Sequence, residues 1–275
     1  MRRYLLDDFF ATLIYSKMIK ICSSFRIGLA LLFSQFLLPA ANASAVTAPA
    51  ATQTLQLPGG NEVALRVYPA QGNSLLLWLP TESGIVAADH KTAAVLARSG
   101  VEVWLADLHA AYFLPIVPSS LQQIPAADVA RVIALAQSRG KAVYLASGGS
   151  GAALALQGAA LQAKNSNPLR GAILLSPNLF TGTPQLGEDA KYLPIASHTR
   201  LPIVILQPDY SPWKWRVEEL RSHLWQGGST VSIKSLPGIR DRFYYREDAS
   251  PTERGWAAHL PELMMNALNA LKEKQ

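Results

Sequence analysis

The stretch AVYLASGGSGAALALQGAALQA, residues 142–163, decides the fold. Its first six residues form a short apolar run of the kind found in buried strands. The glycine-rich turn Ser147-Gly148-Gly149-Ser150-Gly151-Ala152 follows at once, and the alanine- and leucine-rich remainder is typical of a helix. A strand that passes through a tight turn directly into a helix predicts a β-α unit of a parallel sheet.

Similar strand-like and helix-like segments alternate along the rest of the chain. The strand-like runs are short, bounded by turn residues and almost continuously hydrophobic, which indicates strands buried on both faces of a parallel sheet. Apolar residues between these runs recur at helical spacing. The predicted strands are 74–80, 101–106, 142–147, 171–176, 202–207 and 230–236, and the predicted helices are 88–98, 126–139, 151–163, 214–226 and 255–273.

The beginning of this region has a different pattern. Residues 54–57 and 62–68 alternate in polarity around the turn Pro58-Gly-Gly-Asn61, which predicts a β-hairpin. A hairpin followed by repeated β-α units predicts one α/β domain over residues 53–275, with a doubly wound, mostly parallel sheet. The sequence contains no internal repeat and no composition shift that would indicate a second domain.

Residues 1–43 have the pattern of an export signal. Lys20 and Arg26 precede an apolar run at 27–38, and the small-residue motif Ala41-Asn-Ala43 follows it. Because this run is too short to cross a bilayer, we expect cleavage after Ala43, no stable membrane span afterwards, and a periplasmic location in a Gram-negative host. Met18 stands where such a signal would begin, so residues 1–17 are interpreted as a start-site extension. The alternative is an uncleaved membrane anchor. Residues 44–52 are predicted to be a linker.

Composition and charge exclude several classes of protein. Of 275 residues, 49% are hydrophobic and 16% are charged, which excludes a disordered or collagen-like chain. The net charge of +6 suggests nucleic-acid binding only at first sight. Residues 1–43 hold five of the 25 basic residues and two of the 19 acidic ones, so the remainder carries a net charge of +3. That remainder has no cluster of basic residues, and we expect no nucleic-acid partner.

The cysteine and histidine content limits the chemistry further. Cys22 is the only cysteine and lies before the predicted cleavage point, so the exported chain would have no disulfide and no thiol nucleophile. The histidines show no metal-ligand spacing. We therefore expect no metal and no cofactor.

The turn after residue 147 is a candidate for nucleophilic chemistry. Ser150 lies between Gly148 and Ala152 in a Gly-x-Ser-x-small pattern, where small residues let strand and helix approach closely and the serine takes a strained backbone conformation. The Gly151 amide at the helix start is then placed to stabilise an oxyanion. The alternative is a glycine-rich turn without a reactive serine.

On these motifs the chain resembles the α/β-hydrolase family over about residues 53–273. The resemblance implies that Ser150 matches the nucleophile, with Ala152 in place of the second glycine of the motif. It implies that Asp209, just after the strand-like run 202–207, is the acid that orients a base. It also implies a second oxyanion amide from the loop after 74–80, supplied by Thr81 or Glu82.

The histidine of that family is missing from its expected place. The motif expected there aligns with Gly238-Ile239-Arg240-Asp241-Arg242-Phe243, which puts Asp241 at the position of the general base. An aspartate is a poor base for a serine hydroxyl at neutral pH. Two carboxylates near one serine would also repel each other, unless one is protonated or Arg240 or Arg242 neutralises it. His259, at the start of the last predicted helix, is the replacement base that we consider first. His109 is also expected near the carboxyl ends of the strands.

Two functions follow as hypotheses. The first is an exported serine hydrolase that acts on a small ester or acyl substrate through Ser150, Asp209 and His259, with Gly151 and Thr81 as oxyanion donors. The second is a degenerate member of the family, a pseudoenzyme that binds a ligand or an envelope partner. Aromatic residues in segments 108–124 and 177–200, and around Trp213 and Trp215, are expected to form an apolar wall over Ser150.

Overall fold

Eight strands form one sheet in the computed structural model, which describes residues 50–184 and 188–274. The strands are β1 (Ala51–Gln56), β2 (Glu62–Tyr68), β3 (Ser74–Trp78), β4 (Val101–Ala106), β5 (Ala142–Gly148), β6 (Gly171–Leu175), β7 (Ile203–Pro208) and β8 (Val231–Leu236). Their order across the sheet is β1-β2-β4-β3-β5-β6-β7-β8. The β1–β2 and β2–β4 pairs are antiparallel and the other pairs are parallel.

The antiparallel pair β1–β2 stands where the sequence predicts a hairpin. Gln56 faces Glu62 across the turn, and Gly60 has the positive φ of +83° that such a tight turn favours in glycine. β1 begins at Ala51, so the end of the segment 44–52 is a strand rather than a linker. The predicted export signal, 1–43, lies outside the described residues.

Helices cover both faces of the sheet, which explains why the central strands are continuously hydrophobic. The helices are α1 (Ala87–Arg98), α2 (Leu108–Ala111), α3 (Ala126–Gln137), α4 (Gly151–Leu161), α5 (Val217–Gln226), α6 (Pro251–Ala258) and α7 (Leu260–Lys272). One core lies between the sheet and α3, α4 and α5, and the other lies between the sheet and α1 and α7. The predicted doubly wound, mostly parallel sheet is confirmed.

The last predicted helix, 255–273, is two helices. α6 ends at Ala258 and α7 begins at Leu260, with Pro261 in the first turn of α7. Proline has no N–H for a hydrogen bond to the preceding turn, so it is favoured at a helix start and interrupts a helix that would continue through it. The amphipathic pattern of this segment survives the break, which is why periodicity alone does not reveal it.

The parallel strands place their following loops at one edge of the sheet. The loops after β3, β5, β6, β7 and β8 therefore meet at the carboxyl edge, where open α/β sheets bind ligands. The described residues, 50–184 and 188–274, belong to one compact unit. Within the described ranges, no helix combines the length and apolar character needed to cross a bilayer.

Candidate functional site

The turn between β5 and α4 carries its strained residue at Gly149, which has φ of +51°. Ser150 has φ of −72° and ψ of −17°, an ordinary helical conformation, and serves as the N-cap residue of α4. The strain expected at Ser150 therefore lies one residue earlier. Glycine adopts this conformation at no steric cost, so the residue at the apex of the turn has no side chain.

Close backbone approach fixes the turn around this apex. A Cβ atom on Gly151 would lie 2.0 Å from the carbonyl oxygen of Pro80 and 2.6 Å from Oγ of Ser147. Ser147 and Gly151 stand two residues before and after Gly149, and these are the positions that must be small in a strand–turn–helix elbow. By backbone geometry the elbow is therefore centred on Gly149, and Ser150 is the residue that follows the apex.

Glu82, from the loop after β3, lies over the apex. Its Oε2 atom accepts a hydrogen bond from the backbone amide of Ser150 at 3.0 Å and one from the Ser150 hydroxyl at 3.3 Å. A Cβ atom on Gly149 would lie only 2.0 Å from the same oxygen. The carboxylate thus occupies the space that a nucleophilic side chain on the apex would need.

An arginine compensates the charge of Glu82. Nη2 of Arg242 donates to Oε1 of Glu82 at 2.8 Å, and the Glu82 side chain is only 13% exposed. Arg242 has φ of +62°, a conformation that bulky residues rarely adopt. The Tyr245 hydroxyl donates to Oγ of Ser83 at 3.0 Å, so two contacts fasten the loop after β8 onto the loop after β3.

Asp241 faces two serine hydroxyls. Ser176 donates to its Oδ1 at 2.5 Å and Ser211 donates to its Oδ2 at 3.0 Å, while the two Oγ atoms lie 3.1 Å apart. Burial raises the pKa of Asp241, against the opposing effect of these hydrogen bonds. Ser176 has φ of +44°, a strained conformation directly after β6. The position that the family gives to a basic imidazole thus holds a half-buried carboxyl group with two hydroxyl donors.

Asp209 makes other contacts. The Ser235 hydroxyl donates to its Oδ1 at 2.5 Å, and Nζ of Lys214 lies 2.9 Å from the same oxygen. These two hydrogen bonds lower the pKa of Asp209. It contributes nothing to the lining of the cavity that contains Ser150. The structure therefore does not bring Asp209 together with Ser150.

Neither candidate histidine lines that cavity. His259 is 71% exposed between α6 and α7, where its Nδ1 lies 3.3 Å from Oε2 of Glu262, and it borders a separate hollow with Trp256. His109 is buried, and neither ring nitrogen has a hydrogen-bond partner. Burial lowers the pKa of His109, which favours the neutral imidazole. In the described part of the chain no imidazole is placed against Ser150.

The two expected oxyanion donors lie beside the turn. Thr81 is buried, its hydroxyl oxygen accepts a hydrogen bond from the Ser83 amide, and its carbonyl accepts one from the Gly84 amide. Gly151 begins α4. With Gly149 at the apex, however, the amide that follows the apex belongs to Ser150, and Glu82 already accepts its hydrogen bond.

Arg240 and Arg242, the residues predicted to neutralise a second carboxylate, form their ion pairs with other residues. Arg240 binds Glu253 and Asp248, and Arg242 binds Glu82. Arg242 adds only a weaker, through-space effect that lowers the pKa of Asp241.

These groups border a cavity of about 960 Å³ at the carboxyl edge. Its polar side carries Glu82, Ser150, Ser176, Asp241 and Arg242. The remaining lining includes many apolar side chains: Leu121, Ile124, Ala153, Leu154, Phe180, Leu193 and Trp213. Such a cavity has the size and the division into apolar wall and few polar groups that small-molecule sites show. Over residues 50–184 and 188–274, no group of three or more His, Cys, Asp or Glu side chains is arranged to hold a metal ion.

Comparison with solved structures identifies the fold. An arylesterase structure has a TM-score of 0.56 at 12% identity, covering 80% of this chain and 86% of that one. Esterase 2 of Thermogutta terrifontis, in a structure phosphoramylated by tabun, has a TM-score of 0.57 at 15% identity, with 80% and 94% covered. The esterase of Pyrobaculum calidifontis has a TM-score of 0.55 at 17% identity, with 79% and 84% covered. The protein has the α/β-hydrolase fold.

Sequence comparison adds nothing to this assignment. No protein-family model matches the chain, and no curated protein matches it. At identities of 12–17%, the structural likeness establishes the fold alone, and the activity has to be argued from the site.

Sequence reasoning missed the side chains that decide the chemistry of the elbow. The sequence points only to the backbone amide of Glu82, whereas its carboxylate is the group that contacts Ser150. Ser176 and Ser211, the partners of Asp241, had no motif to mark them. One signal was present: the run Ser147-Gly-Gly-Ser-Gly151 allows an elbow centred on either Gly149 or Ser150.

Proposed function

We propose that this protein is a ligand-binding member of the α/β-hydrolase fold that does not hydrolyse esters through Ser150. The observation that carries the proposal is the Glu82 carboxylate, which accepts the hydrogen bond of the amide that follows the elbow apex. In serine hydrolases of this fold that amide stabilises the oxyanion of the tetrahedral intermediate. Here a negative charge already occupies the place where the reaction would develop one.

The energetic consequence is large. Loss of one oxyanion donor lowers kcat by about 10²–10³. A carboxylate in that place goes further, since it repels the incoming charge in addition to occupying the donor. The Arg242 guanidinium at 2.8 Å holds Glu82 there.

The serine itself is poorly placed for attack. Ser150 lies at the helix N-cap instead of the strained apex, and its hydroxyl contacts a carboxylate instead of an imidazole. A carboxylate is a weaker base than an imidazole and accepts a serine proton poorly at neutral pH. These two features favour ligand binding over ester hydrolysis by Ser150.

The cavity suggests the chemistry of its ligand. Glu82 and Asp241 present carboxyl groups on the polar side, and leucine and aromatic side chains form much of the rest. A small molecule with an apolar body and a hydroxyl or amine donor at one end would satisfy both sides, because buried acceptors need donors.

Acyl hydrolysis by Ser150 is the second candidate function, favoured by one observation. The Ser150 hydroxyl lies 3.3 Å from Oε2 of Glu82, within reach for proton transfer. In that mechanism Glu82 takes the hydroxyl proton while Oγ attacks the carbonyl carbon of a small ester, and Glu82 has to leave the Ser150 amide so that the amide can receive the oxyanion. The tetrahedral intermediate then collapses with cleavage of the ester C–O bond, and the alcohol leaves with the proton that Glu82 took. Water, after giving a proton to Glu82, attacks the acyl-serine, which releases the acid and restores the Ser150 hydroxyl with that proton.

Fluorophosphonate labelling of residues 44–275 separates the two functions. We expect the wild-type chain to be labelled no more than Ser150→Ala, and to hydrolyse short p-nitrophenyl esters no faster. Labelling that disappears in both Ser150→Ala and Glu82→Gln would refute the binding proposal and establish the hydrolase.

Binding is tested directly with N-phenyl-1-naphthylamine, a fluorescent probe with an apolar body and one N–H donor. We expect its fluorescence to rise with the wild-type chain and the rise to be lost in Ala153→Leu, which fills the cavity from α4. Ala160→Leu is the matched control, because Ala160 is exposed on the same helix. An equal response from both variants would place the probe outside the cavity.

A further inference from the structure

All but one of the charged side chains that line the cavity have a partner of opposite charge. These side chains are Glu82, Arg240, Asp241, Arg242 and Arg246. Arg242 forms an ion pair with Glu82, and the other two arginines form ion pairs with Asp248 and Glu253, which do not line the cavity. Three arginines thus face three carboxylates. In the described part of the chain, Asp241 is the charged group of the lining that these ion pairs leave out.

Asp241 is contacted by hydroxyl groups instead. Ser176 and Ser211 are both buried, and their hydroxyls donate to Oδ1 at 2.5 Å and to Oδ2 at 3.0 Å, with the two Oγ atoms 3.1 Å apart. Hydroxyl groups supply hydrogen bonds but no positive charge. When the carboxyl group is ionised, these three oxygen–oxygen contacts share only two hydrogens, so the cluster lacks a donor as well as a cation.

The same surroundings influence the charge of Asp241. Burial raises the pKa of this carboxyl group, whereas the hydrogen bonds from the two serines and the charge of Arg242 lower it. A positive charge bound beside Asp241 would lower the pKa further, because an opposite charge favours the ionised form. A cationic ligand would therefore bind to the carboxylate and stabilise it.

Aromatic side chains form part of the wall of the same cavity. Phe180 packs against Trp213 with ring centres 5.1 Å apart, and Tyr244 packs against Tyr245 with ring centres 4.8 Å apart. All four residues line the cavity. Aromatic rings attract organic cations through their faces and also pack against an apolar body. A hard metal ion fits this wall less well, because it binds through several oxygen ligands and bound water.

We propose that the cavity binds a primary amine with an apolar body, in its ammonium form, and that Asp241 anchors the ammonium group. The inference rests on the proposed ligand-binding function and deepens it, since the charge of the lining favours an amine over a hydroxyl compound. An ammonium group has three N–H donors and a positive charge, so it supplies both of the things that the cluster at Asp241 lacks.

The test compares two ligands of the same shape by isothermal titration calorimetry at neutral pH. The probes are 1-naphthylmethylamine, which is an ammonium ion at this pH, and the neutral 1-naphthalenemethanol. The protein is residues 44–275, which contain both cores and omit the apolar run 27–38 that would itself bind apolar probes. We expect the amine to bind at least about tenfold more tightly than the alcohol, the order expected for a hydrogen bond to a charged group.

Asp241→Asn should abolish this preference. Its side-chain oxygen still accepts a hydrogen bond from one serine and its amide donates to the other, so we expect the fold to be kept. The amine should bind this variant about tenfold or more weakly than the wild type, while an unchanged affinity for the alcohol would show that the cavity is intact. Glu247→Gln is the matched control, because it removes a negative charge from an exposed position of the same loop, outside the cavity lining. Its affinity for the amine should equal that of the wild type.

The outcomes separate this inference from the proposed function. If the wild type binds the alcohol as tightly as the amine, Asp241 is not a charged anchor and the inference is overturned, whereas ligand binding stands. It is also overturned if Asp241→Asn and Glu247→Gln bind the amine equally well, or if the wild type binds neither probe. Preference for the amine together with fluorophosphonate labelling that requires Ser150 and Glu82 would overturn the proposed function alone.

Discussion

Two carboxyl groups seven residues apart, Glu82 and Asp89, face opposite electrostatic environments. Glu82 is held by the Arg242 guanidinium at 2.8 Å and the Ser150 amide at 3.0 Å. Asp89, on α1, is 1% exposed and accepts only the Val86 amide at 2.9 Å, while its Oδ1 has no partner. Burial raises the pKa of Asp89 from 3.8 to about 7.

The difference lies in what compensates the negative charge of each carboxyl group. A cation and an oriented amide compensate the carboxylate over Gly149, whereas no cation compensates Asp89 and its burial raises the pKa of that carboxyl group. A fixed negative charge is therefore a built feature of the candidate site. Catalysis by Ser150 would require the Glu82 carboxylate to move away from the Ser150 amide.

The largest effect is expected at the backbone contact that places Glu82. Gly151→Ala would put a Cβ atom 2.0 Å from the Pro80 carbonyl, which cannot move without shifting the loop after β3. We expect the free energy of unfolding to fall by about 3 kcal/mol or more, as for severe overpacking, measured by urea denaturation.

Gly255→Ala provides the control for this variant. Gly255 lies within α6 and has nothing within 4 Å of its added Cβ, so alanine there should stabilise by up to about 1 kcal/mol. If Gly151→Ala were as stable as the wild type, the close approach that fixes the elbow would not exist.

The next effect concerns Asp89 and pH. Because its pKa is raised on folding, the folded chain keeps a proton that the unfolded chain loses between about pH 4 and about pH 7. Stability from this group is therefore present at low pH and is lost as the pH rises through that window, by roughly 4 kcal/mol.

Asp89→Asn should remove this loss. An asparagine oxygen still accepts the Val86 amide, so we expect the variant to gain stability relative to the wild type as the pH increases from about 4 to about 8. Urea denaturation of both proteins across this range measures the difference. Parallel stability curves would show that Asp89 ionises normally in the folded chain.

Much of the fold was predictable because each strand and helix has a local signal. Continuous apolar runs marked the strands of the parallel sheet, and the turn Pro58–Asn61 marked the hairpin. The division of the last helix was not detected, since Pro261 interrupts the backbone without interrupting the apolar stripe. Local patterns thus specify elements better than they specify helix ends.

The site was less predictable because it depends on contacts distant in sequence. Ser150 and Glu82 are 68 residues apart, and Arg242 and Glu82 are 160 apart. The run of small residues is also compatible with an elbow centred on Gly149 or on Ser150, and the positive φ of Gly149 identifies Gly149 as the centre. Asp209 follows the expected strand, but Lys214 and Ser235 hold its side chain away from the cavity lining.

The smallest effect tests whether Arg242 and Glu82 act as a pair. Arg242→Met leaves a largely buried carboxylate without its cation, and loss of one partner from a fully buried pair costs about 3–5 kcal/mol. Because the Arg242 side chain is 48% exposed, solvent screening reduces this to roughly 1–2 kcal/mol. Adding Glu82→Gln should recover most of the loss, since a neutral amide needs no cation and its oxygen still accepts the Ser150 amide.

A double-mutant cycle measures this coupling by urea denaturation. We expect the two single losses to exceed the loss of the double variant by about 1 kcal/mol, and the coupling to weaken in high salt. Strict additivity would mean that Arg242 does not hold Glu82 over the elbow. The carboxylate would then be free to swing away from the Ser150 amide, and the electrostatic case against an oxyanion at that amide would lose its basis.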